Sequence, residues 1–173
     1  ASSYQLEYSK IFRSKYSAIL NLSPDHIERH KTLRKYVKSK FKLLKNQSKG
    51  HWAFLNKENS LINKELKSNR LFCKIINVNI NKTNKFLKNI DNKYFLTKNN
   101  KENLSFVLEI SKKLKIKNSL IRKTIQKFNG LKYRQQIILK RKNLTIINDS
   151  KSTSFSSTMG ILKTNPNIHW LLG

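Results

Sequence analysis

The fold of this chain is decided around residues 18–26, which read Ala-Ile-Leu-Asn-Leu-Ser-Pro-Asp-His. The apolar run has the length of a buried strand, and Ser-Pro-Asp is typical of the turn that ends one. We therefore expect His26 just beyond the carboxyl end of a strand, at the edge of an α/β sheet where ligands bind. The alternative is a histidine in a surface loop, which is the commoner fate of a lone histidine.

The next predicted element is a helix over residues 32–47 that carries one lysine on its apolar side. Apolar residues recur there at three- and four-residue steps, the helical period, and form an inward-facing stripe of Leu33, Tyr36, Val37, Phe41 and Leu44. Lys40 falls inside this stripe. The other lysines are expected on the opposite face: Lys31, Lys35, Lys38, Lys42 and Lys45. A buried ammonium requires a partner, a lowered pKa or a chemical modification, unless it snorkels to water.

Short strands and helices alternate through the rest of the chain. Strands are predicted at 52–56 and 71–78, helices at 60–67, 102–114 and 119–128, and then a βαβ unit with a hairpin-like pair over 134–147, a helix to about residue 162 and a strand at 168–172. This alternation predicts an α/β fold with a largely parallel sheet. The Asn- and Lys-rich stretch at 77–92 predicts a variable surface excursion.

The net charge of +28 comes from 37 Lys and Arg against 9 Asp and Glu. Such an excess ordinarily favours a nucleic-acid partner. The lysines are spread over the whole chain, however, and accompany many Asn and Ile residues, whose codons are also rich in A and T. Genome composition therefore explains the charge without a specific nucleic acid, and a basic nucleic-acid-binding module stays the alternative function.

Size and composition favour a cytoplasmic protein. The 38% hydrophobic content suffices for a core, and no apolar run is long enough for membrane insertion. Cys73 is the sole cysteine, which excludes an internal disulfide and favours a reducing compartment. The first residues lack the features of a signal peptide, and the one methionine is Met159, so we expect a piece of a longer polypeptide.

Two polar clusters in the middle of the chain are candidate ligand contacts. Asn100 and Asn103 lie three residues apart near a predicted helix start, so both amides can face one ligand; the alternative is helix capping by Asn100. Arg134 follows a glycine hinge at Gly130, where a planar guanidinium can grip a phosphate. A surface salt bridge is the alternative for this arginine.

A third cluster, at residues 148–153, reads Asn-Asp-Ser-Lys-Ser-Thr. It places Asp149, Lys151 and Thr153 between a predicted strand and a helix N-terminus, where free N–H groups and the helix dipole favour an anion. The alternative is capping of that helix by Ser152 or Thr153.

In order and spacing these segments resemble the Mur ligases. The resemblance rests on residues 2–7 (Ser-Ser-Tyr-Gln-Leu-Glu), 20–30, 36–40, 128–134 and 148–153. The first and last of these strings are most similar to the branch that joins D-glutamate to UDP-N-acetylmuramoyl-L-alanine. The resemblance implies the later part of a central ATPase domain at 1–130, with a mostly parallel sheet flanked by helices. It also implies the first βαβ unit of a Rossmann-like C-terminal domain at 131–173.

The resemblance further implies an ATP-dependent acid–amino-acid ligase of peptidoglycan precursor synthesis. The substrate carboxylate would form an acyl phosphate with the γ-phosphoryl group of ATP, and the amine of D-glutamate would attack it. His26 matches the family's magnesium-binding histidine. Lys40 matches the lysine that reacts with CO2 to become a carbamate, an oxygen ligand of the kind that Mg²⁺ prefers.

Binding residues are implied by the same resemblance. Ser2 and Gln5 match positions near the muramoyl substrate, and Lys151 and Thr153 match residues that hold substrate and D-glutamate. The nucleotide contacts would be Asn100, Asn103, Arg134 and Asp149. Departures from the family pattern are Thr97 and Asn99, where Gly and His are usual, and Lys132 and Tyr133, where Pro and His are usual.

The 173 residues contain no Gly-x-x-x-x-Gly-Lys-[Ser/Thr] phosphate loop. The family resemblance places that loop, the uridine-binding domain and a metal-binding glutamate upstream of residue 1. We therefore expect this polypeptide alone to be inactive. For the complete enzyme we expect a monomer.

Overall fold

Three parallel strands form the sheet that the alternating sequence predicts. The computed structural model describes residues 1–153 and 155–172 and contains β1 (Tyr16–Ile19), β2 (Trp52–Asn56) and β3 (Lys74–Val78) in the order β1-β2-β3. In register, Tyr16 pairs with Trp52, and Trp52 pairs with Lys74. The predicted α/β fold class is confirmed. The boundaries of β2 agree with the prediction, whereas β1 begins two residues before Ala18, where the apolar run starts, and ends at Ile19, and β3 begins at Lys74 rather than at residue 71.

Helices connect and cover these strands. They are α1 (Ser3–Tyr8), α2 (Ile27–His30), α3 (Leu33–Lys45), α4 (Ser60–Lys67), α5 (Thr83–Leu87), α6 (Lys98–Lys113), α7 (Asn118–Lys127) and α8 (Phe155–Thr164), with 3-10 turns at Ile80–Lys82 and Lys93–Leu96. Side-chain caps begin α3 and α4, because Thr32 Oγ1 accepts from Lys35 N (3.2 Å) and Asn59 Oδ1 accepts from Ile62 N (3.1 Å). Such caps satisfy N–H groups that have no partner within the helix.

The chain divides into two compact units. The first comprises residues 1–82 and 105–115, and the second comprises residues 83–104 and the chain from 116 onward. Within the described residues, no helix is both long and apolar enough to cross a membrane.

The core of the first unit lies on both faces of β2. Ala53 and Leu55 join a cluster with α3 and α4 that includes Phe41, Leu44 and others, whereas Phe54 points the opposite way and packs with Phe106 on α6. Successive side chains of a strand alternate between faces, so a strand covered on both sides is apolar throughout. All three residues at the centre of β2 are fully buried.

In the second unit, Asn92 and Gly130 make close contacts near the C-terminal end of α7. The Asn92 amide donates to the carbonyl groups of Ile125 (2.6 Å) and Phe128 (2.8 Å), which satisfies carbonyls at the end of α7. Gly130 has a φ of +84°, and a Cβ there would lie 2.8 Å from the Tyr94 ring. Glycine is therefore required at position 130 by both backbone and space.

The last predicted strand, at 168–172, is not formed. The antiparallel strands β4 (Gln136–Lys140) and β5 (Thr145–Asn148) pair with each other, and α8 follows, so the predicted βαβ unit is a hairpin and a helix. Trp170 instead packs on the Phe155 ring, with centroids 5.9 Å apart, and Leu171 is exposed. Without a partner strand, the backbone N–H and C=O groups of an apolar run cannot form the hydrogen bonds of a sheet.

Two side chains of the first unit lie on unexpected faces. Lys42 was expected on the solvent face of α3, but it is half-buried and its ammonium donates to the Glu7 carbonyl. Val107 lies on the predicted apolar face of α6 and is half-exposed, whereas Phe106 is buried.

Candidate functional site

His26 lies beyond the carboxyl end of β1, as the turn chemistry predicts. It adopts a left-handed backbone (φ +53°) and stands at the start of α2. Asp25 supports this conformation, because its Oδ1 accepts from His26 N (3.0 Å) and its Oδ2 lies 3.4 Å from His26 Nε2. The imidazole is 39% exposed. His26 is therefore held by the turn and accessible to a ligand.

Lys40 occupies the apolar side of α3 and lies near the same residues as His26. Its side chain is half-buried, with Nζ 5.8 Å from the centroid of the Tyr36 ring, and the His26 ring lies 6.5 Å from that centroid. Burial lowers the pKa of the Lys40 ammonium, while the Asp25 carboxylate opposes this shift. The two predicted metal-binding residues thus lie near the same tyrosine ring, Asp25 contacts His26, and the charge of Asp25 acts on Lys40.

Residues of α1 form polar contacts with His26, His30 and Ser39, and the sequence did not reveal this network. Ser39 Oγ donates to the Ser3 carbonyl (2.7 Å), and His30 Nε2 lies 3.0 Å from Ser3 Oγ. Tyr4 OH lies 3.4 Å from His26 Nδ1. The only sequence signal for Tyr4 was its place in the Ser-Ser-Tyr-Gln string; the network itself depends on α1 docking against α3.

Ser2 and Gln5, the predicted muramoyl contacts, form a capping box at the start of α1. Ser2 Oγ accepts from Gln5 N (3.2 Å), and Gln5 Oε1 accepts from Ser2 N (2.8 Å). Both residues are exposed. This arrangement satisfies two N–H groups of α1 and keeps both side chains at the surface.

In the second unit, hydrogen bonds connect two of the four predicted nucleotide contacts through Gln135. Asn100 Nδ2 donates to Gln135 Oε1 (3.0 Å) and to the Tyr94 carbonyl (2.7 Å). Gln135 N in turn donates to Asp149 Oδ1 (3.0 Å). Asn103 lies on the same helix but is exposed and does not join this chain of bonds. Sequence reasoning missed Gln135.

Arg134 belongs to the same neighbourhood. Burial raises the pKa of the Tyr94 phenol, the Arg134 guanidinium opposes that shift and the Asp149 carboxylate adds to it. Arg134 stands between two left-handed residues, Tyr133 (φ +65°) and Gln135 (φ +49°). Left-handed backbone at non-glycine residues is uncommon and is maintained here by surrounding contacts.

The remaining predicted contacts follow β5. Lys151 N donates to the Tyr133 carbonyl (3.1 Å), and the Lys151 ammonium lies 5.8 Å from the centroid of the Tyr133 ring. Ser152, the proposed alternative cap, donates instead to Asp149 Oδ2 (2.6 Å). Thr153 is exposed.

A magnesium site in the first unit would depend on modification of Lys40. Within residues 1–153 and 155–172, no group of three or more His, Cys, Asp or Glu side chains is placed to hold a metal. His26 supplies one accessible nitrogen. The lowered pKa of Lys40 favours the neutral amine, the form that reacts with CO2, so the donor chemistry of this pair fits a histidine-and-carbamate site.

We expect Lys40→Met to raise the melting temperature at pH 7 in buffer depleted of CO2, where Lys40 carries no carbamate. A lysine whose pKa is lowered by folding destabilises the folded state while it is charged, and this effect disappears above the ordinary pKa of 10.5. The stabilisation should therefore shrink as the pH approaches 10.5. Thermal melts from pH 7 upward test this, with Lys38→Met, an exposed neighbour, as the control. A lower melting temperature for Lys40→Met at pH 7 would contradict the burial argument.

Comparison with known proteins gives a consistent set of relatives. The family model of the Mur ligase middle domain matches residues 1–124. The UDP-N-acetylmuramoylalanine–D-glutamate ligase of Leptospira borgpetersenii serovar Hardjo-bovis (strain JB197) is 32% identical over 91% of this chain and 37% of its own length. The proteins of the same name from Clostridioides difficile (strain 630) and Lachnoclostridium phytofermentans are 31% and 29% identical, over 94% and 99% of this chain.

These curated relatives are considerably longer than the chain. It spans 37% to 42% of their lengths. Their names do not support the alternative of a basic nucleic-acid-binding module.

Proposed function

The chain belongs to the Mur ligase family, and on that premise we propose that its residues form part of a ligase that joins D-glutamate to UDP-N-acetylmuramoyl-L-alanine with cleavage of ATP. The names of the relatives support this substrate pair. The observation that carries the proposal is that the Lys40 ammonium and the His26 ring lie 5.8 Å and 6.5 Å from the centroid of the same Tyr36 ring, with His26 just beyond the carboxyl end of β1.

In the proposed mechanism, Lys40 is first modified. Its neutral amine attacks the carbon of CO2, the new N–C bond forms, and the nitrogen loses a proton to solvent, which leaves an anionic carbamate. The surroundings favour this reaction because burial disfavours the ammonium form. His26 and the carbamate would then hold Mg²⁺. The bound ion would supply positive charge to offset the charge that develops on the transferred phosphoryl group.

The acyl phosphate route separates amide formation into two easier steps. The muramoyl-alanine carboxylate would take the γ-phosphoryl group, and ADP would leave. The D-glutamate amine would then attack the acyl carbon, phosphate would leave with the C–O electron pair, and the nitrogen would lose one proton to solvent. Asn100, Asn103, Arg134 and Asp149 would bind the nucleotide, with the Arg134 guanidinium suited to phosphate. Ser2, Gln5, Lys151 and Thr153 would contact the other two substrates.

We assign residues 1–130 to the later part of the ATP-binding domain and residues 131–173 to the start of the C-terminal domain. Because the 173 residues include no glycine-rich phosphate loop, we propose that they do not turn over substrate by themselves. The complete ligase is proposed to be a cytoplasmic monomer without a specific nucleic-acid partner.

A coupled assay tests the proposed function. A complete ligase polypeptide that contains these residues should release phosphate from ATP only when both UDP-N-acetylmuramoyl-L-alanine and D-glutamate are present, and mass spectrometry should detect their amide. Each substrate omitted in turn is the control. Phosphate release that is independent of D-glutamate, or an amide formed with another amino acid in preference, would refute the assignment.

A further inference from the structure

Tyr4 is placed to control the orientation of the His26 imidazole. Its hydroxyl oxygen lies 3.4 Å from His26 Nδ1, and the two rings meet edge to face with centroids 5.1 Å apart. A tyrosine hydroxyl is both a donor and an acceptor, whereas a neutral imidazole has one N–H and one nitrogen lone pair. Tyr4 can therefore form a hydrogen bond with Nδ1 whether or not that nitrogen carries the proton.

The second nitrogen of the imidazole faces a carboxylate. His26 Nε2 lies 3.4 Å from Asp25 Oδ2, and an ionised carboxylate only accepts hydrogen bonds. When no cation is bound, both nitrogens are satisfied if Nε2–H donates to Asp25 and the Tyr4 hydroxyl donates to Nδ1. Glu28 is a weaker partner, because its Oε1 lies 3.9 Å from Nδ1 and its side chain is 79% exposed.

A divalent cation on Nε2 requires the other tautomer. A histidine binds a metal through a nitrogen lone pair and almost always donates its second N–H to a fixed acceptor. Nε2 is the nitrogen that suits a cation, since the Asp25 carboxylate beside it carries negative charge. The proton must then lie on Nδ1, where the Tyr4 oxygen is closer than the Glu28 carboxylate and can accept it.

The surroundings of Tyr4 hold it in place for this contact. The Ser3 carbonyl accepts from Ser39 Oγ at 2.7 Å, and Ser3 Oγ lies 3.0 Å from Nε2 of the buried His30, so the backbone beside Tyr4 is fixed to α2 and α3. The Tyr4 ring itself lies 5.8 Å from the His30 ring and 5.9 Å from the Arg29 guanidinium carbon. A side chain that orients a metal-binding residue must be held by its own neighbours in this way.

We propose that Tyr4 is a positioning residue of the ligase: its hydroxyl accepts from His26 Nδ1–H and so holds the tautomer in which Nε2 is free to bind the divalent cation. This inference rests on the proposed function, because it concerns the histidine of the proposed magnesium site. It gives a role to a tyrosine that the family resemblance includes only as one letter of a sequence string. Tyr4 acts through His26 and is not itself a ligand.

Binding of Mn²⁺ without turnover tests the inference. In the complete ligase, the EPR signal of the free ion should give a Kd that Tyr4→Phe raises about tenfold, the lower end of the usual cost of losing a partner of a metal-binding histidine. Tyr8→Phe is the matched control, because it removes a hydroxyl from the same helix. Tyr8 is 70% exposed and its hydroxyl bonds to Arg29, so this variant should keep the Kd of the wild type.

Nitrogen NMR of ligase labelled with ¹⁵N-histidine gives a second readout, since protonated and bare ring nitrogens have different chemical shifts. The His26 signals are identified by their loss in His26→Gln. Added Mg²⁺ should move the His26 proton from Nε2 to Nδ1 in the wild type. Tyr4→Phe should need about ten times more Mg²⁺ for the same change, because its Nδ1–H lacks the hydroxyl acceptor.

The outcomes separate this inference from the proposed function. If Tyr4→Phe binds Mn²⁺ as tightly as the wild type, the positioning role is refuted while the ligase assignment stands. If Tyr8→Phe weakens binding equally, or if the His26 proton stays on Nε2 at saturating Mg²⁺, the inference also fails. A Kd that His26→Gln leaves unchanged removes the site on which the inference depends. Failure of the substrate-dependent assay refutes the proposed function itself.

Discussion

Lys40→Ala is expected to reduce ligase turnover by roughly a hundredfold or more, since loss of residues that merely support metal ligands already costs 10- to 100-fold. The substitution removes the amine that would become the carbamate, and therefore one of the two groups that this chain contributes to the proposed magnesium site. The measurement is phosphate release by the complete ligase with all three substrates present.

Bicarbonate distinguishes the chemistry of Lys40 from its packing. Added bicarbonate should not restore the activity of the Lys40→Ala variant, because the alanine side chain has no amine that could be carboxylated. The wild type, in contrast, should lose activity in buffer depleted of CO2 and regain it when bicarbonate is added. Lys38→Ala removes an equal charge from the exposed side of α3 and should leave the rate unchanged. A Lys40→Ala enzyme that retains activity would remove the basis of the proposed mechanism.

Phe54→Ala is expected to lower the free energy of unfolding by about 3–5 kcal/mol, the usual range for a fully buried phenylalanine. Phe54 has no exposed surface and lies on the central strand, where it packs with Val78, Ile80 and Phe106. Its removal would leave a cavity between β2 and α6 that neighbouring side chains fill only in part.

Urea unfolding measures this effect as a lower midpoint with an unchanged slope. Phe72→Ala is the matched control, because Phe72 is 66% exposed and its truncation should change the stability by no more than about 0.5 kcal/mol. Equal losses for the two variants would contradict the assignment of Phe54 to the core.

Local chemistry explains which parts of the fold and candidate site were predictable. The positions of His26 and Lys40 followed from a turn signal and a helical period, which depend on neighbouring residues only. Their roles as metal-binding residues stay predictions, as do the assigned nucleotide and substrate contacts. The prediction of a strand at 168–172 was wrong, because a short apolar run does not specify the strand with which it would pair.

Tertiary contacts account for what the sequence did not reveal. Gln135 is polar, carries no motif of its own and has a backbone conformation that its residue type does not predict. Its importance emerges only when Asn100 and Asp149, which are 35 and 14 residues away, come within hydrogen-bonding distance. Lys42 likewise leaves the solvent face of α3 because α1 brings the Glu7 carbonyl within its reach.

The parallel register of the sheet also sets an order of events during synthesis. Tyr16 pairs with Trp52, so β1 has no native neighbour until 36 more residues (52 − 16) have been made, and β2 then waits 22 residues (74 − 52) for β3. Non-local pairing of this kind is slow compared with helix formation. The nascent chain therefore carries β1 as an unpaired strand with α3 already able to form, and this interval is when a chaperone would find its apolar residues uncovered.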